Sequence, residues 1–368
     1  MGGSGHSRPL KILHIDPEKH WGGGEAQVSG LLQHLAQWGH RNDLATPPDG
    51  ELFRHSLDPS IRKIPLTVRN DLDLRGIPAL RRLIRQQEYD IVHLHTKRAH
   101  ALSMWLPRGD RTPKYIVTRR MDYPESRNCY TSYLYNRRVD GIVAISHSIV
   151  DLLSEAGVDR RSIRLIHSGI DPEPFRLAGS SERRPNVPAI VAVVAVLEER
   201  KGHRFLLDAA RMLKDRGRPI RYLLAGDGSQ KAHLQQRVQM LGLQTEVSFV
   251  GFVKDVPNFL SSIDLLVLPS LYEGLGVAAL EGMAAAKPVV GTRVGGLAEL
   301  IVDGDTGFLV PAGDGPALAE AIEKLLADPS MAQAMGQKGA ERVLKNFTIE
   351  QSAKQNEQYY YALLKGAA

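Results

Sequence analysis

Residues 264–292 read DLLVLPSLYEGLGVAALEGMAAAKPVVGT. An apolar run of strand length ends at Pro269 and Ser270, and a glycine-bearing loop, LYEGLG, follows it. An alanine-rich helical run begins near Gly276, and a second apolar run closes the stretch at Thr292. Strand, helix and strand in this order form the unit of a parallel sheet, and its repetition decides the fold class. The same alternation predicts strands at LKILHID, IRKIPL, YDIVHLH, KYIVTRR, DGIVAIS and IRLIHSG in the first half. It predicts AIVAVVAVL, IRYLLAGDG, VSFVGF, DLLVLPS, KPVVGT and GFLVP in the second. After the first strand, Val28, Leu31, Leu32 and Leu35 recur at helical spacing, and Gly39 is the stop signal. Between the halves, residues 171–188, DPEPFRLAGSSERRPNVP, hold four prolines among Ser, Gly and charge, which marks a linker. The expectation is an α/β protein of two doubly wound domains, residues 1–172 and 173–348, with a cleft between them. Residues 349–368 should form a closing helix that returns to the first domain. In such sheets ligands bind at the carboxyl ends of the strands.

Composition agrees with a folded, water-soluble chain. At 368 residues it exceeds one ordinary core, and 43% hydrophobic with 24% charged residues is globular in balance. No uninterrupted apolar run is long enough to span a membrane, and MGGSGHSRPLK at the start lacks an apolar signal core. Cys129 is the sole cysteine, which excludes an internal disulfide or a cysteine zinc site and suits a reducing cytoplasm. The net charge of +6 is uneven: residues 1–175 carry 25 Lys/Arg against 20 Asp/Glu, the remainder 22 against 21. Residues 97–138 are densest, with ten bases against three acids. A basic first domain suits an anionic membrane or an acidic acceptor, although a solvated basic surface has the same composition.

Glu273 and Glu281 frame the loop and the start of the helix in the opening stretch. Glycines there permit close backbone approach, and the free amides of a helix start favour an anion such as a diphosphate. Like charge forbids the two glutamates from holding that phosphate. Carboxylates are pure acceptors, so hydroxyl donors are their partners. A nucleotide-sugar, with a diphosphate between two polyols, satisfies the whole set: Glu273 on sugar hydroxyls and Glu281 on the ribose diol. Taken alone, the two acids also fit a helix-start acid and a solvent-facing acid.

PSLYEGLGVAALEGMAAAKPVVGTRVGGLAELIVDGDTGFLV closely resembles the retaining GT-B glycosyltransferases of family GT4, whose Glu-seven-residues-Glu motif is matched by Glu273 and Glu281. The resemblance extends through KILHID…WGGGEAQ, HSGIDPEPF, LLAGDGS and VSFVGFVKDVPNFLSSIDLLVLPS. It implies a GT-B fold of two Rossmann-like domains facing a central cleft, an NDP-sugar donor held mostly by the second domain, retention at the anomeric carbon, and no metal. It places Phe252, Val253, Gly274, Leu275, Gly276 and Val277 with the glutamates around the donor. Lys201, in VLEERKGHRF, matches the lysine that neutralises the diphosphate. Gly23 and Gly24 match the loop that meets donor phosphates and sugar when the domains close. The chain departs from the family twice. Val196 stands where an arginine is usual, so that either Arg200 substitutes or neutralisation rests on Lys201 and backbone amides. Arg120 stands where many relatives have a histidine, in an Arg-Arg-x-Asp sequence that resembles a bacterial subgroup. Arg120 and Asp122 are therefore site residues, Arg120 for an anionic group and Asp122 for the acceptor hydroxyl.

HLHTKRAH, residues 93–100, invites a metal reading, since His93 and His95 lie on one side of a strand. No carboxylate or cysteine ligand stands at a recognisable spacing nearby, so no metal is expected. His95, Lys97 and Arg98 are instead placed as groups for the acceptor. Residues 74–87, LRGIPALRRLIRQQ, set Leu80, Leu83 and Ile84 against Arg81, Arg82 and Arg85. Such a helix covers a sheet or lies on an anionic membrane. A dehydrogenase is disfavoured for want of a strand leading into a dinucleotide fingerprint, and nucleic-acid binding because the bases do not gather on a recognition helix. The expected protein is a cytoplasmic hexosyltransferase, peripheral on the inner membrane face. It moves sugar from UDP or GDP to a lipid-linked or lipopolysaccharide-type acceptor. The alternatives are a small soluble acceptor or a non-catalytic nucleotide-sugar-binding protein.

Overall fold

The computed structural model describes residues 8–68, 70, 73–109, 112–123, 125–178 and 188–366. Residues 179–187 of the expected linker and residues 367–368 of the closing segment lie outside them. The chain divides into two compact units, Met1–Ser168 with Ile349–Ala368, and Gly169–Thr348. Each is a parallel sheet with covering helices.

The first unit has β1 (Lys11–Ile15), β2 (Arg41–Thr46), β3 (Arg62–Pro65), β4 (Ile91–Leu94), β5 (Lys114–Arg119), β6 (Gly141–Ala144) and β7 (Ile163–Leu165). Their order in the sheet is β3-β2-β1-β4-β5-β6-β7. The chain leaves β1 toward one edge and returns at β4 on its other side, which makes β1/β4 the switch point. His14 of β1 is level with His93 of β4. Ile12, Ile91, Ile116 and Val143 on these strands pack with Leu31 and Leu35 of the helix Gly23–Gln37 and with Tyr360 of the terminal helix Ile349–Leu364.

β2 corrects the sequence expectation, which has no strand there. RNDLAT carries no apolar run because Asn42 and Asp43 are buried and answered by polar neighbours. The Asp43 carboxyl accepts from Arg62 and from the Tyr89 hydroxyl. Buried pairing of polar groups hides this strand from any apolar pattern.

The second unit has β8 (Ala189–Val194), β9 (Ile220–Ala225), β10 (Val247–Gly251), β11 (Leu265–Leu268), β12 (Val289–Thr292) and β13 (Phe308–Val310), in the order β10-β9-β8-β11-β12-β13. All six predicted strands are present, and β8/β11 is the switch point. Val191, Leu224, Leu265 and Val290 form its core with Leu206 and Leu318. Both sheets are doubly wound, Rossmann-like layers.

One glycine decides how the second switch point is assembled. Gly202, at φ +66°, opens the helix His203–Asp215, and a Cβ there would lie 1.9 Å from the Pro269 carbonyl oxygen at the end of β11. Replacing it with alanine combines left-handed strain with a backbone clash. Gly202→Ala is expected to destabilise the second unit by at least about 2 kcal/mol, against about 1 kcal/mol for Gly242→Ala. Gly242 also has positive φ, but its nearest atom is 3.7 Å away. Trp21, Trp38 and Trp105, the three tryptophans, all belong to the first unit. The loss should therefore appear in urea unfolding followed by far-UV circular dichroism before tryptophan fluorescence changes.

Candidate functional site

In the second unit, the loops leaving β8 and β11 meet at the switch point. Leu271 N donates to the Arg200 carbonyl at 2.7 Å, and Gly202 lies under Pro269, so the two loops are tied by backbone. This brings together residues 72 positions apart: Lys201 Nζ donates to Glu273 Oε2 at 2.6 Å. Ser270 Oγ donates to the same oxygen at 3.1 Å. Gly296 N donates to the Glu273 carbonyl at 3.0 Å and holds the loop. Both charged side chains are largely withdrawn from water, with 14% and 11% exposure. A pair this buried is weak evidence for stability, because desolvation offsets its attraction. It marks the position as a candidate site.

Gly276, at φ +97°, caps the helix Val277–Ala284, and Gly274, Leu275 and Gly276 are buried beside the pair. Val277 is partly exposed. Glu281 sits in the second turn of that helix, and burial pushes its carboxyl up to about 7. Phe252 follows β10 with 63% exposure, and Val253 is partly buried. Arg200, the expected substitute for the arginine that Val196 replaces, is paired with a neighbouring acid. Its Nε donates to Glu198 at 2.7 Å, while Val196 is exposed.

In the first unit, Gly23 and Gly24 form the first turn of the helix Gly23–Gln37, with Gly22 as its cap. They are helical rather than a free loop. A Cβ on Gly24 would lie 3.7 Å from Arg120 Cδ, which joins the glycine run to the residue after β5. Arg120 faces two acids that the sequence does not single out, Asp16 after β1 and Glu25 in the helix. Burial raises Asp16 to about 7, with Glu25 adding to the shift, and burial raises Glu25 as well. Desolvation lowers Arg120, against the pull of the two acids. Arg120 Nε and Nη1 are buried with no hydrogen-bond partner among the described residues. A cavity of about 20 Å³, room for one water, is lined by Arg120, His93, Thr118 and Asn356 among others. Asp122 is buried nearby in sequence.

His93 and His95 do share a side, with ring centroids 4.1 Å apart, and His14 joins them. Nitrogens of the three lie within 4.8 Å of one another, close enough for a metal ion. All but one of their nitrogens are already engaged, the exception among the described residues being His95 Nδ1. His93 meets the Tyr360 hydroxyl at 2.7 Å and Thr118 Oγ1 at 2.6 Å, while His14 meets His95 at 2.9 Å and Asn42 at 3.3 Å. Burial lowers the proton affinity of all three, so they are neutral near pH 7. A metal would have to displace these hydrogen bonds. Lys97 and Arg98, expected at a strand end, open the short helix Lys97–Leu102. Each meets an acid, Lys97 with Glu125 at 3.6 Å and Arg98 with Glu18 at 3.4 Å.

Residues 21–174 match the family described as Glycosyltransferase Family 4, and residues 179–342 match Glycosyl transferases group 1. The lipopolysaccharide core biosynthesis glycosyltransferase LpsE of Rhizobium meliloti is 29% identical over 93% of this chain and 96% of its own. The N-acetyl-alpha-D-glucosaminyl L-malate synthase of Bacillus anthracis is 26% identical over 94% and 95%. Among solved structures, a glycosyltransferase from Rickettsia africae superposes with a TM-score of 0.84 at 23% identity, over 98% of this chain and all of that one. Anabaena Alr3699/HepE in complex with UDP-glucose superposes at 0.80 with 22% identity, over 96% and all. These structural likenesses establish the fold; with the two family matches, one on each unit, the chain belongs to the family 4 glycosyltransferases and is a transferase enzyme.

Proposed function

We propose that the protein is a retaining hexosyltransferase that takes its sugar from an NDP-sugar, UDP- or GDP-linked, without a metal. The observation that carries this reading is the Lys201–Glu273 pair at 2.6 Å beside the start of a glycine-capped helix. A diphosphate can take Lys201 and the helix amides, and sugar hydroxyls can take Glu273, so each charge exchanges one partner for another. Glu281 then accepts from the ribose diol, and Gly274, Leu275, Gly276 and Val277 supply close backbone. Bond cleavage frees the nucleoside diphosphate, whose charge Lys201 stabilises. The acceptor oxygen attacks the anomeric carbon from the face the diphosphate leaves, and its proton passes to the departing phosphate oxygen. On the acceptor side, Arg120, Asp122 and His95 bind the incoming molecule, while Gly23 and Gly24 meet the donor phosphates and sugar. The HepE structure with UDP-glucose supports a nucleotide-sugar donor, and the name of the LpsE relative supports a lipopolysaccharide-type acceptor.

The membrane reading rests on the helix Ile77–Gln87, where Arg81, Arg82 and Arg85 line a surface groove with Ile77 and Pro78. Among the described residues none of the three arginines has an ion-pair partner. Three such charges near an anionic leaflet contribute about 3 kcal/mol in total. No helix among the described residues is long and apolar enough to cross a membrane. Attachment at the cytoplasmic face is therefore peripheral in this reading. The malate-synthase relative favours a second reading, a small soluble acceptor.

Three measurements test these proposals. A hydrolysis screen with UDP-, GDP- and ADP-sugars should show slow sugar release from one donor, and Glu281→Ala should raise its KM at least about tenfold. An unchanged KM removes the ribose assignment. Because Glu281 must be ionised to accept two hydroxyls and titrates at about 7, kcat/KM for the donor should fall as pH drops below 7. In Glu281→Gln that part of the acid limb should vanish. Co-sedimentation with phosphatidylglycerol vesicles should be strong at low salt, weak at high salt, and reduced in Arg81→Ser/Arg82→Ser/Arg85→Ser. Salt-insensitive or absent binding favours the soluble acceptor.

A further inference from the structure

We infer that His95 presents a bare Nδ1 lone pair as the acceptor for a hydroxyl of the sugar-bearing ligand, and that Asn42 dictates this polarity through His14. The inference rests on the transferase reading above and names the chemistry that its acceptor side selects.

The polarity follows one bond at a time. Asn42 Nδ2 donates to the His40 carbonyl at 3.1 Å, which can only accept, so the amide orientation is fixed and Oδ1 faces His14. Asn42 Oδ1 at 3.3 Å can only accept, so His14 carries its proton on Nε2. Burial keeps His14 neutral, its proton affinity lowered to about 4, and this leaves Nδ1 as a lone pair. His95 Nε2, 2.9 Å from that lone pair, must therefore be the donor. Neutral imidazole has one proton, and His95 has used it. Its Nδ1 is an acceptor, fully buried, with no partner among the described residues.

The reversed chain fails at its far end. It would set a His14 lone pair against the Asn42 oxygen, and turning the amide to relieve that would set the Asn42 oxygen against the His40 carbonyl. An unsatisfied buried acceptor is costly, which is the reason such atoms are rare outside functional sites.

His95 lies where a ligand is expected, directly after β4 at the switch point, with its own N–H donating to the Ile15 carbonyl at the end of β1. Arg120 is close enough to depress His95 electrostatically, and its Nε and Nη1 lack acceptors. A hydroxyl needs one acceptor for its proton and donors for its lone pairs. His95 and Arg120 supply these two halves. Because the imidazole is neutral and a poor base, it selects and orients the hydroxyl and leaves its proton in place until the diphosphate departs. His14 and Asn42 are positioning residues that act through it.

Imidazole 15N NMR on the full chain at pH 7.5 reads this directly and needs no turnover. His95 should appear as the Nε2–H tautomer with an unprotonated, unbonded Nδ1. Methyl glycosides of glucose, galactose and mannose, titrated to 100 mM, should shift the Nδ1 signal of His95 for at least one sugar. In His95→Leu the apparent affinity for that sugar should fall roughly tenfold. Asn42→Leu should move the tautomer ratio at least tenfold toward Nδ1–H. An Nδ1–H tautomer in the wild type, or an unaltered ratio in Asn42→Leu, overturns the relay. A signal already hydrogen-bonded in the free protein and unmoved by all three glycosides means a resident water and overturns hydroxyl recognition. Neither failure touches donor hydrolysis, so the transferase reading is judged separately.

Discussion

The second unit depends on a reversal of strand order. β8 and β11 are neighbours from which the chain departs in opposite directions, so their loops converge without any helix between them. That constraint, sealed by Gly202 under Pro269, sets Lys201 against Glu273. An ion pair withdrawn from water is a poor stabiliser, yet removing one partner strands the other. In the proposed function the two are ligand groups that satisfy each other, and a molecule carrying both negative charge and hydroxyls can separate them without leaving either charge unanswered.

The first unit repeats the topology and changes the chemistry. Its switch point, β1/β4, gathers three neutral imidazoles, two carboxyls whose ionisation is resisted by burial, and a guanidinium with unused donors. Where the second unit offers a full charge pair, the first offers mainly polarised hydrogen-bonding groups. This asymmetry matches the division of labour in glycosyl transfer. A leaving diphosphate requires fixed positive charge, whereas an incoming hydroxyl requires orientation and an undisturbed proton.

The sequence makes the second unit almost wholly legible. The central strands β8 and β11 are continuous apolar runs, as buried parallel strands must be, β9 and β10 are broken only by Arg221 and Ser248, and Lys201 and Glu273 stand just past β8 and β11. The first unit is legible except where buried polar groups replace apolar ones. RNDLAT conceals β2 because Asp43 is answered by Arg62 and Tyr89, residues 19 and 46 positions away. The same blindness hides the imidazole relay. His14 and Asn42 occupy ordinary strand positions, and only the pairing of β1 with β2 and β4 brings them to His95. Asp16 and Glu25 were visible as a strand-end acid and a helix-start acid, but their shared partner Arg120 lies about a hundred residues on. Lys97 and Arg98 read as strand-end residues, while the Thr96 cap turns both onto a helix start, with Glu125 and Glu18 within ion-pair distance.

The terminal helix Ile349–Leu364 brings these threads together. Its sequence, with aromatic residues at the end, reads as a cover for a sheet, and Ala353, Tyr359, Tyr360 and Leu363 are indeed buried in the first core. It also supplies polar groups to the site. The Tyr360 hydroxyl meets His93, and Asn356 lines the cavity beside Arg120. Tyr361 donates to the Arg8 carbonyl, so the last helix fastens the first strand's approach. Ile349 fills the space over Gly30 so closely that a methyl there would meet it at 2.4 Å. The hydrogen-bonding surface of the first unit thus includes side chains made more than 230 residues after its other members. That surface is complete only once residues 169–348 have been synthesised, because the terminal helix follows them in the chain and packs on the first unit.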